Sequence, residues 1–145
     1  MSFTVGIAKN PTNELLDGLN HLLPQLSSSA PPLTIEDLER LITADSVTLM
    51  VAENEGVIVG TLTLVIFPIP TGIRAWIEDV VVDKDTRGLG VGAALTMAAV
   101  DVAASHGART VDLTSRPSRE AANALYVKLG FEPRETNVYR FLIGS

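Results

Sequence analysis

Hydrophobic positions along the chain fall into two rhythms, one suited to helices and one to strands. Residues 3–8, Phe-Thr-Val-Gly-Ile-Ala, read as a short first strand. Leu15, Leu16, Leu19, Leu22, Leu23 and Leu26 then recur at helical spacing behind Thr12 or Asn13, either of which can cap, and Pro24 is expected to cut the helix. A polar, proline-bearing loop over 27–32 leads to Thr34, the predicted cap of a second helix. That helix has Glu36 and Asp37 in its first turn and Leu38, Leu41 and Ile42 on its face. Residues 47–53 and 57–67 are β-rich and joined by Asn54-Glu55-Gly56, a hairpin turn, with Gly60 marking a candidate bulge. Pro68 to Gly72 breaks the pattern, and a central strand resumes at Ile73 or Arg74 and reaches Val82.

From Val91 onward Ala, Leu, Met and Val dominate, which suits a helix packed on a sheet and ended at Gly107. Residues 109–115 alternate Val111 and Leu113 with Asp112 and Thr114, a further strand ended by Pro117. Ser118 is the predicted cap of a last helix, with Glu120 near its positive end, Ala122, Leu125 and Leu129 toward the core, and Gly130 as its stop. Residues 136–143 are expected to close the fold as a final strand. The order β-αα-βββ-α-β-α-β predicts an α/β (α+β) domain over 1–145, a mixed sheet with helices on both faces and no internal repeat.

Composition narrows the function classes. A hydrophobic content of 46% with 19% charged residues suits a globular chain, and no apolar run reaches membrane-spanning length. The start, Met-Ser-Phe-Thr, lacks the basic-then-apolar opening of a signal peptide, so a cytoplasmic home is expected. With no cysteine, disulfides, thiolate metal sites and a cysteine nucleophile are all excluded. A net charge of −6 argues against general nucleic-acid binding and is compatible with a cationic substrate.

The most specific signal runs from Ile77 to Gly92. Ile77, Val80, Val81 and Val82 form an apolar strand interrupted by two adjacent carboxylates, Glu78 and Asp79. Arg87-Gly88-Leu89-Gly90-Val91-Gly92 follows, and glycines at alternate positions let a backbone approach a ligand closely. A helix start there supplies free N–H groups and a positive dipole end, which together suit a phosphate. A P-loop needs Lys and Ser/Thr after its last glycine, and Ala93 and Ala94 exclude it. Gly88, Gly90 and Ala93 also spell the dinucleotide fingerprint G-x-G-x-x-A, with Asp112 downstream as its acidic residue. Residues 83–87 separate that loop from its strand and no repeating βαβ pattern precedes it, so a nicotinamide-dependent oxidoreductase is disfavoured.

The pattern R-x-x-G-x-G on Arg87, Gly90 and Gly92 resembles motif A of the GNAT N-acetyltransferase superfamily. The apolar-Glu-Asp-apolar strand ahead of it is similar to the diamine-acetyltransferase branch. Ala121-Ala-Asn-Ala-Leu-Tyr126-Val-Lys-Leu-Gly130-Phe131 resembles motif B, whose usual ending is Leu-Tyr-x-x-x-Gly-Phe. Seven positions before this tyrosine the family often has a coenzyme-A-binding Asn; Arg119 stands there, and a cation also serves a phosphate. Asn123 occupies a different helical position and does not inherit the role.

The resemblance implies the GNAT fold, a mostly antiparallel twisted sheet of about six to seven strands with helices on both faces. It implies an acetyl-CoA-dependent N-acetyltransferase that needs no metal and no covalent intermediate. The acceptor would be a small primary amine, a protein lysine or an N-terminus, walled by the first two helices and the loop between them. An alkylammonium has a pKa of about 10 and must lose a proton before it attacks. By resemblance Glu78 is the general base, acting directly or through water, while Asp79 would face the opposite side of an ideal strand, so only one of the two can face the acceptor unless a bulge intervenes. Tyr126 would be the general acid toward the leaving thiolate, since a phenol with a pKa of about 10 stays protonated at neutral pH.

A backbone N–H near Val81 or Val82 would polarise the thioester, and the pantetheine arm would pair with Val80 and Val82 as an added strand. Amides of Gly88, Leu89, Gly90, Val91, Gly92 and Ala93 would hold the pyrophosphate, with Arg87, Arg116 and Arg119 as cationic support. The binding-module alternative is an acyl-CoA sensor that has lost turnover. Trp76 reads as core, interface or pocket wall, His21 as surface, and His106 as a cation-favouring helix end. Apolar residues on both faces of the last segment suggest a homodimer, and neither nucleic acid nor membrane is expected as a partner.

Overall fold

Capping chemistry sets the first helices in this computed structural model, which describes residues 2–144. The Thr12 hydroxyl accepts from the Leu15 N–H at the start of α1 (Asn13–Leu26). Thr34 and Asp37 form a reciprocal capping box at the start of α2 (Ile35–Thr43). Pro24 does not cut α1 as the sequence suggested: the helix continues to Leu26 and the Ser27 N–H still reaches the Leu23 carbonyl. Only Gln25 and Leu26 remain beyond the proline, and Leu22, fully buried, fixes the turn that contains it to the core.

The strands are β1 (Thr4–Ile7), β2 (Val47–Asn54), β3 (Val57–Ile69), β4 (Gly72–Val82) and β5 (Val111–Asp112), in the sheet order β1-β2-β3-β4-β5. Pairing is antiparallel from β1 to β4, and β5 lies parallel to β4. Glu55 and Gly56, both with positive φ (51° and 79°), turn β2 into β3 in the tight hairpin the sequence indicated. A register shift leaves one extra β3 residue between Ile58 and Gly60, so the expected bulge lies beside Gly60.

Cross-strand pairs share a face, which separates two cores. On one face Leu49, Val51, Ile58 and Val81 pack under Leu15, Leu19 and Leu22 of α1 and Leu38 of α2. On the other, Met50, Ala52, Leu62, Leu64, Ala75 and Ile77 are buried on the side of α3 (Val91–Ser105), whose Val91, Leu95, Ala99 and Ala103 are also buried. Helices therefore cover both faces of the sheet. No helix among the described residues is long and apolar enough to cross a membrane.

These elements make up one compact unit, 2–114; a second, 115–144, contains α4 (Glu120–Leu129). The sheet has five strands among the described residues, not the six to seven expected. Residues 136–143 form no strand, and Val138, Tyr139, Phe141, Leu142 and Ile143 are all largely exposed. β-propensity stabilises a strand only on a half-buried pleated surface, and this segment has none. The expected strand over 109–115 contracts to Val111–Asp112, which pair only with Ala75 and Trp76 of β4. Ser118 is not a cap: Arg119 holds the cap position of α4 with no side-chain cap, and the Arg119 N–H and the Asn123 amide both donate to the Arg116 carbonyl.

Gly60 has a packing role beyond the bulge. A Cβ there would meet Val91 Cγ1 at 2.8 Å and Leu95 Cδ1 at 3.0 Å, so only glycine lets α3 approach β3 this closely. Gly60→Ala should lower unfolding free energy by about 1–3 kcal/mol in urea denaturation. Wild-type stability in that variant would show that α3 has slack against the sheet.

Candidate active site

Between Thr61↔Val81 and Thr63↔Glu78, β3 advances by two residues while β4 advances by three. The extra residue makes a bulge, and Asp79 inside it has a left-handed φ of 49°. This removes the alternation that would send Glu78 and Asp79 to opposite faces; both are exposed. Glu78 is opposite Thr63, itself opposite Leu49, so it shares the face covered by α1 and α2. Trp76, half-buried, lies on that face opposite Val65. Asp112, the acidic residue a dinucleotide site would require, is instead 3.0 Å from the Arg74 guanidinium.

β5 pairs with β4 only at Ala75 and Trp76, so from Ile77 to Val82 that edge of β4 has no strand partner among the described residues. The ladder fixes which amides are free. The Asp83 N–H donates to the Val59 carbonyl, so by alternation Val81 bonds Thr61 and Val82 turns its N–H and carbonyl to the open edge. Val80 has the same parity as Val82. The open Val82 carbonyl accepts from Arg87 Nε at 3.4 Å. Val81 is buried in the core, whereas Val80 and Val82 are half-buried.

Gly88 and Gly90 both adopt left-handed backbone (φ 85° and 86°), and no atom lies within 4 Å of where a Cβ would stand on either. Gly90 occupies the cap position of α3 with no side-chain cap, and the Ala94 N–H makes the first helical bond to its carbonyl. The amides of Val91, Gly92 and Ala93 consequently lack intrahelical acceptors at the positive end of the helix dipole. Leu89 and Arg87 are exposed beside them.

A polar cluster missed in the sequence stands just before this loop. Asp83, only 8% exposed, accepts from the Asp85 N–H (3.3 Å) and the Gln25 amide (3.5 Å), and lies 3.4 Å from His21 Nε2. Gln25 Oε1 accepts from the Lys84 N–H at 2.9 Å, and Thr86 bonds the Asp83 carbonyl through its N–H and its hydroxyl. Burial raises the Asp83 pKa, but the Asp85 N–H, Gln25 and His21 outweigh it and hold the carboxyl below its ordinary 3.8. His21 is mostly exposed, as expected, yet has this partner. The signal available was His21 and Gln25 at i,i+4 on one helical stripe. His106, at the end of α3, has Nδ1 2.9 Å from the Val102 carbonyl.

In the second unit Tyr126 is buried, its ring edge-on to Phe131 at 5.7 Å between centroids. Burial pushes its phenol above the ordinary 10.0, opposed by the Arg119 charge, so the hydroxyl stays protonated at neutral pH. Gly130 (φ 108°) ends α4 in left-handed geometry, and the Phe131 N–H closes back on the Tyr126 carbonyl. Arg119 and Arg116 are exposed at the helix start, and the Asn123 side chain is engaged with the Arg116 carbonyl. Glu78, Val80, Val81, Val82 and Arg87–Gly88–Leu89–Gly90–Val91–Gly92–Ala93 thus belong to the first unit, and Tyr126 and Arg119 to the second.

A family model described as the Acetyltransferase (GNAT) family matches residues 15–131. Glucosamine 6-phosphate N-acetyltransferase of Trypanosoma brucei brucei is 39% identical over 130 residues, 83% of this chain and 82% of that protein. N-alpha-acetyltransferase 30 of Schizosaccharomyces pombe is 34% identical over 75 residues, 52% of this chain; the chain spans 49% of that relative's length. A crystallised acetyltransferase of Trypanosoma brucei superposes with a TM-score of 0.80 at 29% identity, covering 97% of this chain and 100% of the other.

The Asp83 cluster yields a pH prediction. Because its folded pKa lies below 3.8, ionised Asp83 stabilises the fold at neutral pH, and that contribution is lost as pH falls from 3.8 through the lower folded value. Asp83→Asn should be less stable than wild type by about 1 kcal/mol at neutral pH, with the gap closing on acidification. A gap that stays constant through the acid range in urea titrations would contradict this assignment.

Proposed function

The chain belongs to the acetyltransferase (GNAT) family, and from that premise we propose that it transfers acetyl from acetyl-CoA directly to a primary amine. The observation that carries this reading is the open β4 edge followed, after the 84–86 turn, by a helix start opened by glycines. An extended, amide-bearing pantetheine arm can add to such an edge, and a pyrophosphate suits the free amides of 88–93. With the Val81 amide engaged by Thr61, Val80 and Val82 supply the available groups. Val82, nearer the loop, pairs with the arm, and Val80, rather than the Val81 or Val82 amide expected from the sequence, polarises the thioester carbonyl.

Glu78 then takes the proton of the acceptor ammonium, directly or through water, and the neutral amine attacks the carbonyl carbon. The carbon–sulfur bond breaks, Tyr126 gives its proton to the thiolate, and the second proton shed by the attacking nitrogen restores the phenol through water, while Glu78 releases the first to solvent. Arg87, Arg116 and Arg119 support the phosphates. A small amine is the favoured acceptor, because the relative matched over most of its length is named for an amino sugar phosphate, while the N-alpha-acetyltransferase is matched over half. A protein amine is the second class. The whole of 1–145 acts as one acetyltransferase domain in this reading, and the exposed apolar segment over 138–143 pairs two copies into a dimer. A monomer mass in light scattering at micromolar concentration would exclude the dimer.

Acetyl-CoA at a hundredfold excess over its dissociation constant should stabilise the fold by about 2.7 kcal/mol. Gly90→Val should lose most of that gain, because it strains a left-handed position and fills the space beside the free amides. Equal thermal shifts in both proteins would remove the loop from the binding site.

Tyr126→Phe keeps the ring and should hold CoA affinity while turnover drops about 10²-fold or more. Glu78→Gln should recover activity as pH rises and the amine deprotonates unaided. Wild-type turnover in Tyr126→Phe would reduce the tyrosine to packing, and an acyl-CoA sensor would bind CoA yet release no thiol with any amine.

A further inference from the structure

The loop at 88–90 has little to hold it from within. Gly88 and Gly90 touch nothing through a side chain, and Leu89 is exposed. Its geometry is set at its ends, by Val91 (1% exposed) in α3 and by Thr86 (6% exposed) in the 3-10 turn Lys84–Thr86. That turn hangs on Asp83, whose N–H makes the last rung to β3 and whose carbonyl takes both Thr86 donors. The last turn of α1 closes on it from outside. Gln25 reaches the Asp83 carboxylate with its amide nitrogen and the Lys84 N–H with its oxygen, the shorter contact at 2.9 Å. His21 touches the same carboxylate but is mostly solvated, so its contact is the weaker one.

From this geometry we infer that Gln25 is a positioning residue for acetyl-CoA: it holds the 83–86 turn and thereby sets where the amides of 88–93 point. The inference rests on the CoA site proposed above. The same stretch of α1 fastens the other loop, since Asn20 exchanges two hydrogen bonds with the Leu33 backbone, at 2.8 and 3.1 Å. One helix end therefore holds both the lead into the CoA loop and the end of the 27–34 connection. The two fastenings are separate residues, so they can be cut separately.

The test compares wild type, Gln25→Met and Thr34→Ala by CoA calorimetry and steady-state kinetics with any acceptor that turns over. Gln25→Met keeps side-chain length and removes both hydrogen bonds to the turn, whereas Thr34→Ala breaks the α2 cap and supplies a destabilised control at a residue whose side chain bonds only within α2. The expected result is a rise of about tenfold in CoA Kd and acetyl-CoA KM for Gln25→Met, equivalent to one or two net hydrogen bonds, with kcat and acceptor KM within about twofold. Thr34→Ala should lose stability but keep wild-type CoA affinity. Wild-type Kd and KM in Gln25→Met, or an equal loss in Thr34→Ala, would overturn the inference while leaving the CoA site standing. Absence of CoA binding to wild type at millimolar concentration would overturn the proposed function and this inference with it.

Discussion

Between Thr61 and Thr63 of β3, strand β4 fits three residues against two, and the site geometry follows from that mismatch. The extra residue, at Asp79 in a left-handed conformation, reverses the strand's facing: Ile77 is buried against the α3 side, while Val81 is buried against α1 and α2. Without the bulge one of these would be turned to the wrong layer. Such a conformation costs a non-glycine residue on the order of 1 kcal/mol or more, which the packing on both sides must offset. Bulges bend the strand that carries them. Pairing with β5 stops at Trp76, just short of this one, and the rest of β4 keeps an open edge.

Two features with different physics meet at the end of that edge. The strand offers directional backbone groups at a spacing suited to an extended amide chain, and the glycine loop offers a cluster of N–H groups suited to compact negative charge. Glycine is needed there for conformation, since Gly88 and Gly90 lie in the left-handed region, and at Gly60 for proximity. These are separate requirements, and they explain why a loop of low intrinsic stiffness is bordered by two of the most buried side chains nearby, Thr86 and Val91. Asp83 completes the border with hydrogen bonds that depress its pKa despite burial.

Much of this was legible in the sequence. The leucine spacing, Thr12, Thr34, Gly107, Gly130 and the Glu55-Gly56 turn all act as their chemistry predicts, and the family follows from the motifs around Arg87–Gly92 and Tyr126. The misses share a cause. Local propensity alone points to a break at Pro24, a cap at Ser118 and a strand over 136–143, and the surroundings decide otherwise: a buried Leu22, a carbonyl shared by Arg119 and Asn123, and the lack of a packed face. A bulge at Glu78-Asp79 is an alternative that the sequence leaves open, for a different reason. Register is a property of two strands, and a single strand's sequence cannot state it. The cluster of His21, Gln25 and Asp83 likewise joins residues some 60 positions apart.

In the proposed function the open β4 edge and the α3 start together receive acetyl-CoA. Residue-resolved amide exchange with and without saturating CoA tests it most directly. CoA should slow exchange at Val80, Val82 and across 88–93, and leave the Val81 amide, already bonded within the sheet, unchanged. Undiminished exchange at Val82 and across the loop, with CoA demonstrably bound, would contradict it.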